Sequence, residues 1–131
     1  MCDWKELKGF DGKGEAGLDN PGVYRVRVRG KGIPRAAGVD CEGIIYIAMA
    51  LQHLRDRIEA FETWVQNGKG SEFPHIKGCY QGRFPVEQLE VSWTVFEDAA
   101  ASKARKKELL KEYEDVFCDL PPLNGRGFVD S

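Results

Sequence analysis

The sequence predicts a small domain of the α/β (α+β) class: a three-stranded antiparallel sheet flanked by helices, in the order β-β-α-β-α. Three observations predict it. Two segments alternate apolar and polar residues with a period of two, another repeats apolar residues every three or four positions, and glycines punctuate the chain between them. The 15 glycines fall within residues 9–43, 68–82 and 125–127, which leaves 44–67 and 83–124 without any. Glycine weakens the interiors of helices and strands, so regular structure is expected in those two stretches.

Residues 1–20 are glycine-rich and aperiodic, and are expected to form a loosely docked arm anchored by Trp4 and Phe10. After the Asn20-Pro21-Gly22 turn, residues 23–29 alternate cleanly, which predicts a half-buried strand. Tyr24, Val26 and Val28 share one face of it, and Arg25, Arg27 and Arg29 the other. Residues 30–40 read as a loop. The apolar, Ile-rich run 43–48 reads as a well-covered central strand. Leu51, Leu54, Ile58, Phe61 and Val65 then recur at helical spacing, predicting an amphipathic helix of about four turns that Asn67-Gly68 closes. Residues 69–81 read as a loop holding His75, Cys79 and Tyr80. Leu89, Val91, Trp93 and Val95 give the third strand. Glu97-Asp98 open a second helix that reaches Phe117, and Pro121-Pro122 cannot prolong it.

At 131 residues the chain makes one domain, here expected as the arm of 1–20 and a domain of 21–131. A net charge of −2 excludes a globally basic nucleic-acid binder but leaves room for a local basic patch. The apolar run 43–51 is far shorter than the roughly 20 residues of a membrane span. The N-terminus is charged and lacks an apolar signal core, so no membrane association and a cytoplasmic location are expected. The four cysteines show no Cys-x-x-Cys pair and read as reduced thiols; two histidines are too few for a histidine-based metal site.

Taken in order, several of these residues resemble the motifs of the GIY-YIG nuclease family. Gly22-Val23-Tyr24 is similar to the first motif on strand one, and Tyr46-Ile47-Ala48 to the second on strand two. Arg57 lies eleven residues after Tyr46, where the family carries an arginine on the first helix. Asn124, after Pro121-Pro122, is similar to the asparagine that follows the second helix. The resemblance covers residues 21–125 and implies cleavage of phosphodiester bonds in DNA. Tyr24 would help take a proton from the attacking water, Tyr46 would assist by hydrogen bonding, and Arg57 would hold the scissile phosphate. Asn124 completes the implied catalytic set. A divalent cation such as Mg²⁺ would be the cofactor of an active member.

The family's metal ligand is a glutamate on the second helix, about three residues before an apolar pair. Here that pair is Leu109-Leu110, and the count reaches Lys106. Helical phase agrees. At about 100° per residue, Leu109, Leu110, Tyr113 and Phe117 fall within one arc, with Lys106 near its middle; Glu108 and Glu112 fall more than a quarter-turn away. Counting back from Asn124 by the family's common interval reaches Glu112 instead. An ammonium cannot bind Mg²⁺, so the sequence predicts no metal site built on this helix and a degenerate active site. Glu42 and Glu90 are the other acids considered for the missing role. Ala48 in place of a glycine, and Phe61 where many members carry histidine or tyrosine, depart from the pattern in the same direction.

Plainer readings stand beside these. Arg57 also suits snorkelling or pairing with Glu62, Asn124 suits a turn, and the tyrosines suit packing with their hydroxyls at a rim. The Arg25, Arg27 and Arg29 face fits either a phosphate-binding footprint, with duplex DNA favoured over single strands, or an edge strand protected by charge. Two functions follow: an endonuclease or nuclease-derived protein acting on DNA, or a catalytically silent module that binds DNA or a protein partner.

Overall fold

The computed structural model describes residues 4–12, 15–67 and 85–124. The predicted loop 69–81 with His75, Cys79 and Tyr80, the helix stop at Gly68, and Cys2 lie outside the described residues.

Among the described residues the architecture is α+β, with antiparallel sheets and two α-helices. Strands β1 (Lys5–Glu6), β2 (Gly22–Val28), β5 (Ile44–Ala50) and β6 (Leu89–Val95) form one sheet in the order β1-β6-β2-β5. Strands β3 (Ile33–Arg35) and β4 (Gly38–Asp40) form a separate two-stranded hairpin. Helix α1 (Leu54–Asn67) follows β5, and helix α2 (Ala99–Phe117) follows β6. No helix among the described residues is long and apolar enough to cross a membrane.

The sheet separates two apolar cores. On one face Tyr24, Val26 and Val28 of β2 meet Leu54, Ile58, Phe61, Trp64 and Val65 of α1. On the other, Val23, Ile44 and Ile47 meet Leu110 and Tyr113 of α2. A bulge in β5 assigns its residues to the two sides. Val26 pairs with Tyr46 while Arg27 pairs with Ile44, so Ile45 is the extra residue. Ile44 and Tyr46, two positions apart, therefore face opposite cores. Gly22 is required where β2 passes α1. A Cβ there would lie 2.5 Å from the Leu54 side chain and 2.4 Å from the Thr94 carbonyl oxygen.

Several expectations are corrected. Among the described residues the main sheet has four strands, because β1 pairs with β6. Residues 4–12 and 15–20 are part of the fold rather than a loose arm. Leu7, Phe10 and Leu18 enter the α1 core, the Leu7 N–H donates to the Leu89 carbonyl (3.1 Å), and the Asn20 and Leu18 carbonyls accept from the Leu54 and Arg55 N–H groups. Those two acceptors satisfy part of the open first turn of α1. Leu51 precedes α1 and is 57% exposed, so the helical repeat starts one step later than predicted.

The predicted loop 30–40 contains the β3–β4 hairpin, which leans on the end of α2: the Ala37 N–H donates to the Phe117 carbonyl (2.9 Å). The buried Asp40 carboxylate organises the return to β5, accepting from the N–H groups of Glu42, Gly43 and Ile44 and from the Tyr113 hydroxyl (2.8 Å).

The places of the two long strands are exchanged. β2 is central, with β5 and β6 on its two sides, so the charge-protected edge reading of its arginines falls. β5 is last in the sheet order, and its apolar run is explained by what covers it. The segment after α2 runs along its outer side. The Leu123 N–H donates to the Ile45 carbonyl, and the Asn124 carboxamide bonds both backbone groups of Ile47. α2 itself opens on Asp98, whose carboxylate accepts from the Ala101 N–H (2.8 Å). It closes on Cys118 in the left-handed conformation, before the two prolines.

Candidate functional site

Where β5 runs out and α1 begins, the edge of the sheet opens into a cleft of about 420 Å³. Tyr46, Ala48 and Met49 of β5 form one wall. Gln52, His53, Asp56 and Arg57 come from the entry to α1, and Lys106 comes from α2 on the other side of the sheet. The cleft thus wraps the last strand and collects a cation from each helix.

Lys106 is only 5% exposed, as its predicted phase requires. Glu108 and Glu112, with side chains 63% and 66% exposed, point away and pair with Arg105 at 3.1 and 3.6 Å. Ala48 lines the cleft at the position where the resemblance has glycine. Phe61 stacks on Tyr46 (5.0 Å between centroids, 11° between planes) and fixes its ring from below.

The two sequence-predicted tyrosines lie together, edge to face at 6.1 Å, but only Tyr46 reaches the cleft. Tyr24 is fully buried, and its hydroxyl finds no well-aligned hydrogen-bond partner. Burial pushes its pKa well above the ordinary tyrosine value and the neighbouring Tyr46 adds to this, while the Arg57 guanidinium beside it pulls the other way. Tyr46 is raised in the same manner by burial, again opposed by Arg57. The positive charge of Arg57 therefore acts on both hydroxyls, and both stay protonated at neutral pH. In that state each is a potential hydrogen-bond donor; neither is poised to take a proton.

Asn124 stands apart from this group. Its carboxamide oxygen accepts from the Ile47 N–H (2.9 Å), and its NH₂ donates to the Ile47 carbonyl (2.9 Å), so it acts as one more rung on the edge of β5. The arginines of β2 lie on the opposite sheet face from Tyr24. Arg27 binds Glu90 through two nitrogens (2.8 and 2.9 Å), and Arg29 pairs with Glu6 at 3.5 Å. Arg25 and Arg27 both sit over the Trp4 ring, at 5.3 and 4.2 Å. Glu62 accepts from the Gly9 N–H and the Gln66 amide.

The residues of the cleft do not fit a divalent cation. Among the described residues Asp56 is its one carboxylate, with His53 as the other donor of a ligating type, and both share the space with Arg57 and Lys106. Among the described residues no group of three His, Cys, Asp or Glu side chains is placed to hold a metal. Glu42 and Glu90 do not line the cleft, and Glu90 is held by Arg27.

Gln52, His53 and Asp56 are the lining groups that sequence reasoning missed. Their only signal is position, within five residues before Arg57 at the strand-to-helix junction. The His53 Nδ1–H donates to the Asp19 backbone carbonyl, an acceptor only (2.7 Å), and the ring lines the cleft. What the arrangement can do is bind an oxyanion: a planar guanidinium, an ammonium and a tyrosine hydroxyl converge on one concave, partly apolar site. No protein-family model, curated protein or solved structure matches the chain.

Proposed function

We propose that this chain is a GIY-YIG-like protein that grips a phosphodiester of duplex DNA in the cleft between β5, α1 and α2, and that it binds rather than cuts. The observation that carries this reading is the convergence of Arg57 and Lys106 beside Tyr46. The order β2, β5, α1, β6, α2 supports the family reading, with the two tripeptides on β2 and β5 and Arg57 on α1. Arg57 offers a planar fork to two phosphate oxygens, Lys106 a point charge to a third, and the Tyr46 hydroxyl a further donor. Lys106 occupies the position from which the resemblance expects a metal-binding glutamate. A fixed cation there favours holding the phosphate in its ground state. Contacts of this kind give affinity and salt dependence without reading sequence.

A metal-dependent endonuclease is the second reading, favoured by the clustering of Tyr24, Tyr46 and Arg57. One experiment separates the two: duplex binding by fluorescence anisotropy, run beside plasmid nicking in Mg²⁺ and Mn²⁺. The wild type is expected to bind more weakly as salt rises and to leave the plasmid intact. Arg57→Ala should weaken binding about tenfold, the loss of one charge-assisted phosphate contact. Metal-dependent nicking by the wild type, lost in Tyr24→Phe and Arg57→Ala, would select the endonuclease. Nicking gained only in Lys106→Glu would show a scaffold silenced at that residue. No duplex binding at low salt would refute both.

A further inference from the structure

The cleft has room for more than one phosphate. A phosphate group takes roughly the share of three water molecules, about 90 Å³. The cleft measures about 420 Å³. Its two ends also differ in character. Helix α1 runs back along β5, since Leu54 lies against Gly22, the partner of Ala50, while Phe61 stacks on Tyr46. Arg57 therefore lies toward Tyr46. Leu51, Gln52 and His53 lie at the Ala50 end, with Asp56 in the first turn of the helix.

That second end is not needed to hold a phosphate. Leu51 is 57% exposed, outside the buried stripe of α1, and lines the cleft together with Ala48 and Met49. Apolar surface left open inside a concave site is surface that a ligand can cover. Asp56 brings a carboxylate, which repels a second phosphate and accepts from N–H donors. Gln52 brings an amide that both donates and accepts. An anion thus belongs beside Arg57 and Lys106, and a group with apolar faces and N–H donors belongs beside Leu51 and Asp56. A nucleotide carries both, one on each side of its sugar. From residue 53 to residue 57 the helix rises only about 6 Å, so one such molecule can meet both ends. A base stacked in a duplex offers neither its faces nor its pairing edge, so the base must be unstacked.

We propose that the Leu51–Asp56 end of the cleft binds the base of one unstacked nucleotide, with its faces against Leu51 and Met49 and its N–H donors on Asp56. Guanine fits best. Its N1–H and its N2 amino group present two adjacent donors to the two oxygens of one carboxylate, and the Gln52 amide can donate to its O6. Thymine presents one donor between two carbonyls. That the phosphate of this nucleotide belongs to a DNA strand held at Arg57 and Lys106 rests on the function proposed above; the base site stands on Leu51, Gln52 and Asp56.

The test is fluorescence anisotropy of the full chain with three duplexes: fully paired, with one unpaired guanine, and with one unpaired thymine. NMR titration with GMP and UMP is run beside it, and each variant is first checked for a native spectrum. The wild type should bind the unpaired-guanine duplex about tenfold tighter than the unpaired-thymine duplex, the worth of hydrogen bonds to a charged group. Asp56→Asn should erase that preference, a ratio that a purely structural carboxylate at the start of α1 would leave unmoved. Leu51→Ala should cut the advantage of either unpaired duplex over the paired one about fivefold, through lost apolar contact.

Equal affinity for the three duplexes would overturn the base site and leave phosphate binding in place. A guanine preference that survives Asp56→Asn would overturn it as well. Failure to bind any duplex, with GMP preferred to UMP and that preference lost in Asp56→Asn, would keep the base site, assign it to a free nucleotide and overturn the duplex reading alone. Failure to bind either duplex or GMP would overturn both.

Discussion

Asn124 shows how a residue that matches a catalytic pattern can be wholly engaged by the fold. Its carboxamide replaces the backbone of a neighbouring strand, donating to and accepting from the same residue, Ile47, on the last strand of the sheet. Beside it the Leu123 N–H continues the ladder to Ile45. Removing the carboxamide leaves a buried N–H and a buried carbonyl without partners. Asn124→Ala is therefore expected to cost about 1–3 kcal/mol, measured as a fall in the urea midpoint with unchanged slope. Asn124→Asp should cost at least as much, because a carboxylate oxygen then faces the Ile47 carbonyl in place of a donor. Duplex affinity of the folded protein should stay as in the wild type. Full stability combined with lost binding would return Asn124 to the site.

At the scale of elements, two leucines sit against their sequence pattern. Leu51 fits the helical repeat, yet it lies before α1 and is exposed; Leu18 fits no repeat, yet it is buried in the α1 core. Leu18→Ala should destabilise by about 2–5 kcal/mol. Leu51→Ala should change stability by no more than about 0.5 kcal/mol. Equal effects in chemical denaturation would mean that residues 15–20 are not part of the cooperative unit.

The contrast marks what was legible. Leu54, Ile58, Phe61 and Val65 could be read because one helix buries one stripe. Lys106 could be read because its phase is fixed by Leu110 and Tyr113 on the same helix. Segment 4–20 could not, since its buried residues are set by the shape of a core made elsewhere. Nor could the order of the sheet. β5 is apolar on both faces because α1 and α2 cover them, while its outer side is closed by a segment that begins after α2, and no local period records that. The cleft shared this limit: Arg57 carried a motif, but its meeting with Lys106 depends on where α2 lies.

For the molecule as a whole, the most general consequence is its response to alkali. Three of its four tyrosines are held protonated by the fold. Tyr24 and Tyr46 are raised by burial against the pull of Arg57. Tyr113 is raised by burial, by its hydrogen bond to Asp40 and by the Asp40 charge, with Arg35 opposing. The fourth, Tyr80, lies outside the described residues. In the unfolded chain each ionises near its ordinary value of about 10. Below that pH both states carry the protons, and the full contribution to stability is present. Above it the unfolded chain gives up protons that the folded chain keeps, so the unfolded state gains by about 1.4 kcal/mol per pH unit for each tyrosine until the folded pKa is passed. Three such groups together remove about 4 kcal/mol per unit, enough to consume a stability of about 5–15 kcal/mol within a few units. Stability is thus expected to be insensitive to these groups up to about pH 10 and to fall steeply beyond it. A titration that follows tyrosinate absorbance and helical circular dichroism in the same cuvette checks this. At most one tyrosine should ionise while the helix signal is intact, and the remaining absorbance should rise together with its loss. Three or more tyrosinates in a protein that keeps its helices would mean that the Tyr24–Tyr46 pair is open to solvent, and that a hydroxyl beside Arg57 can give up its proton without the fold giving way.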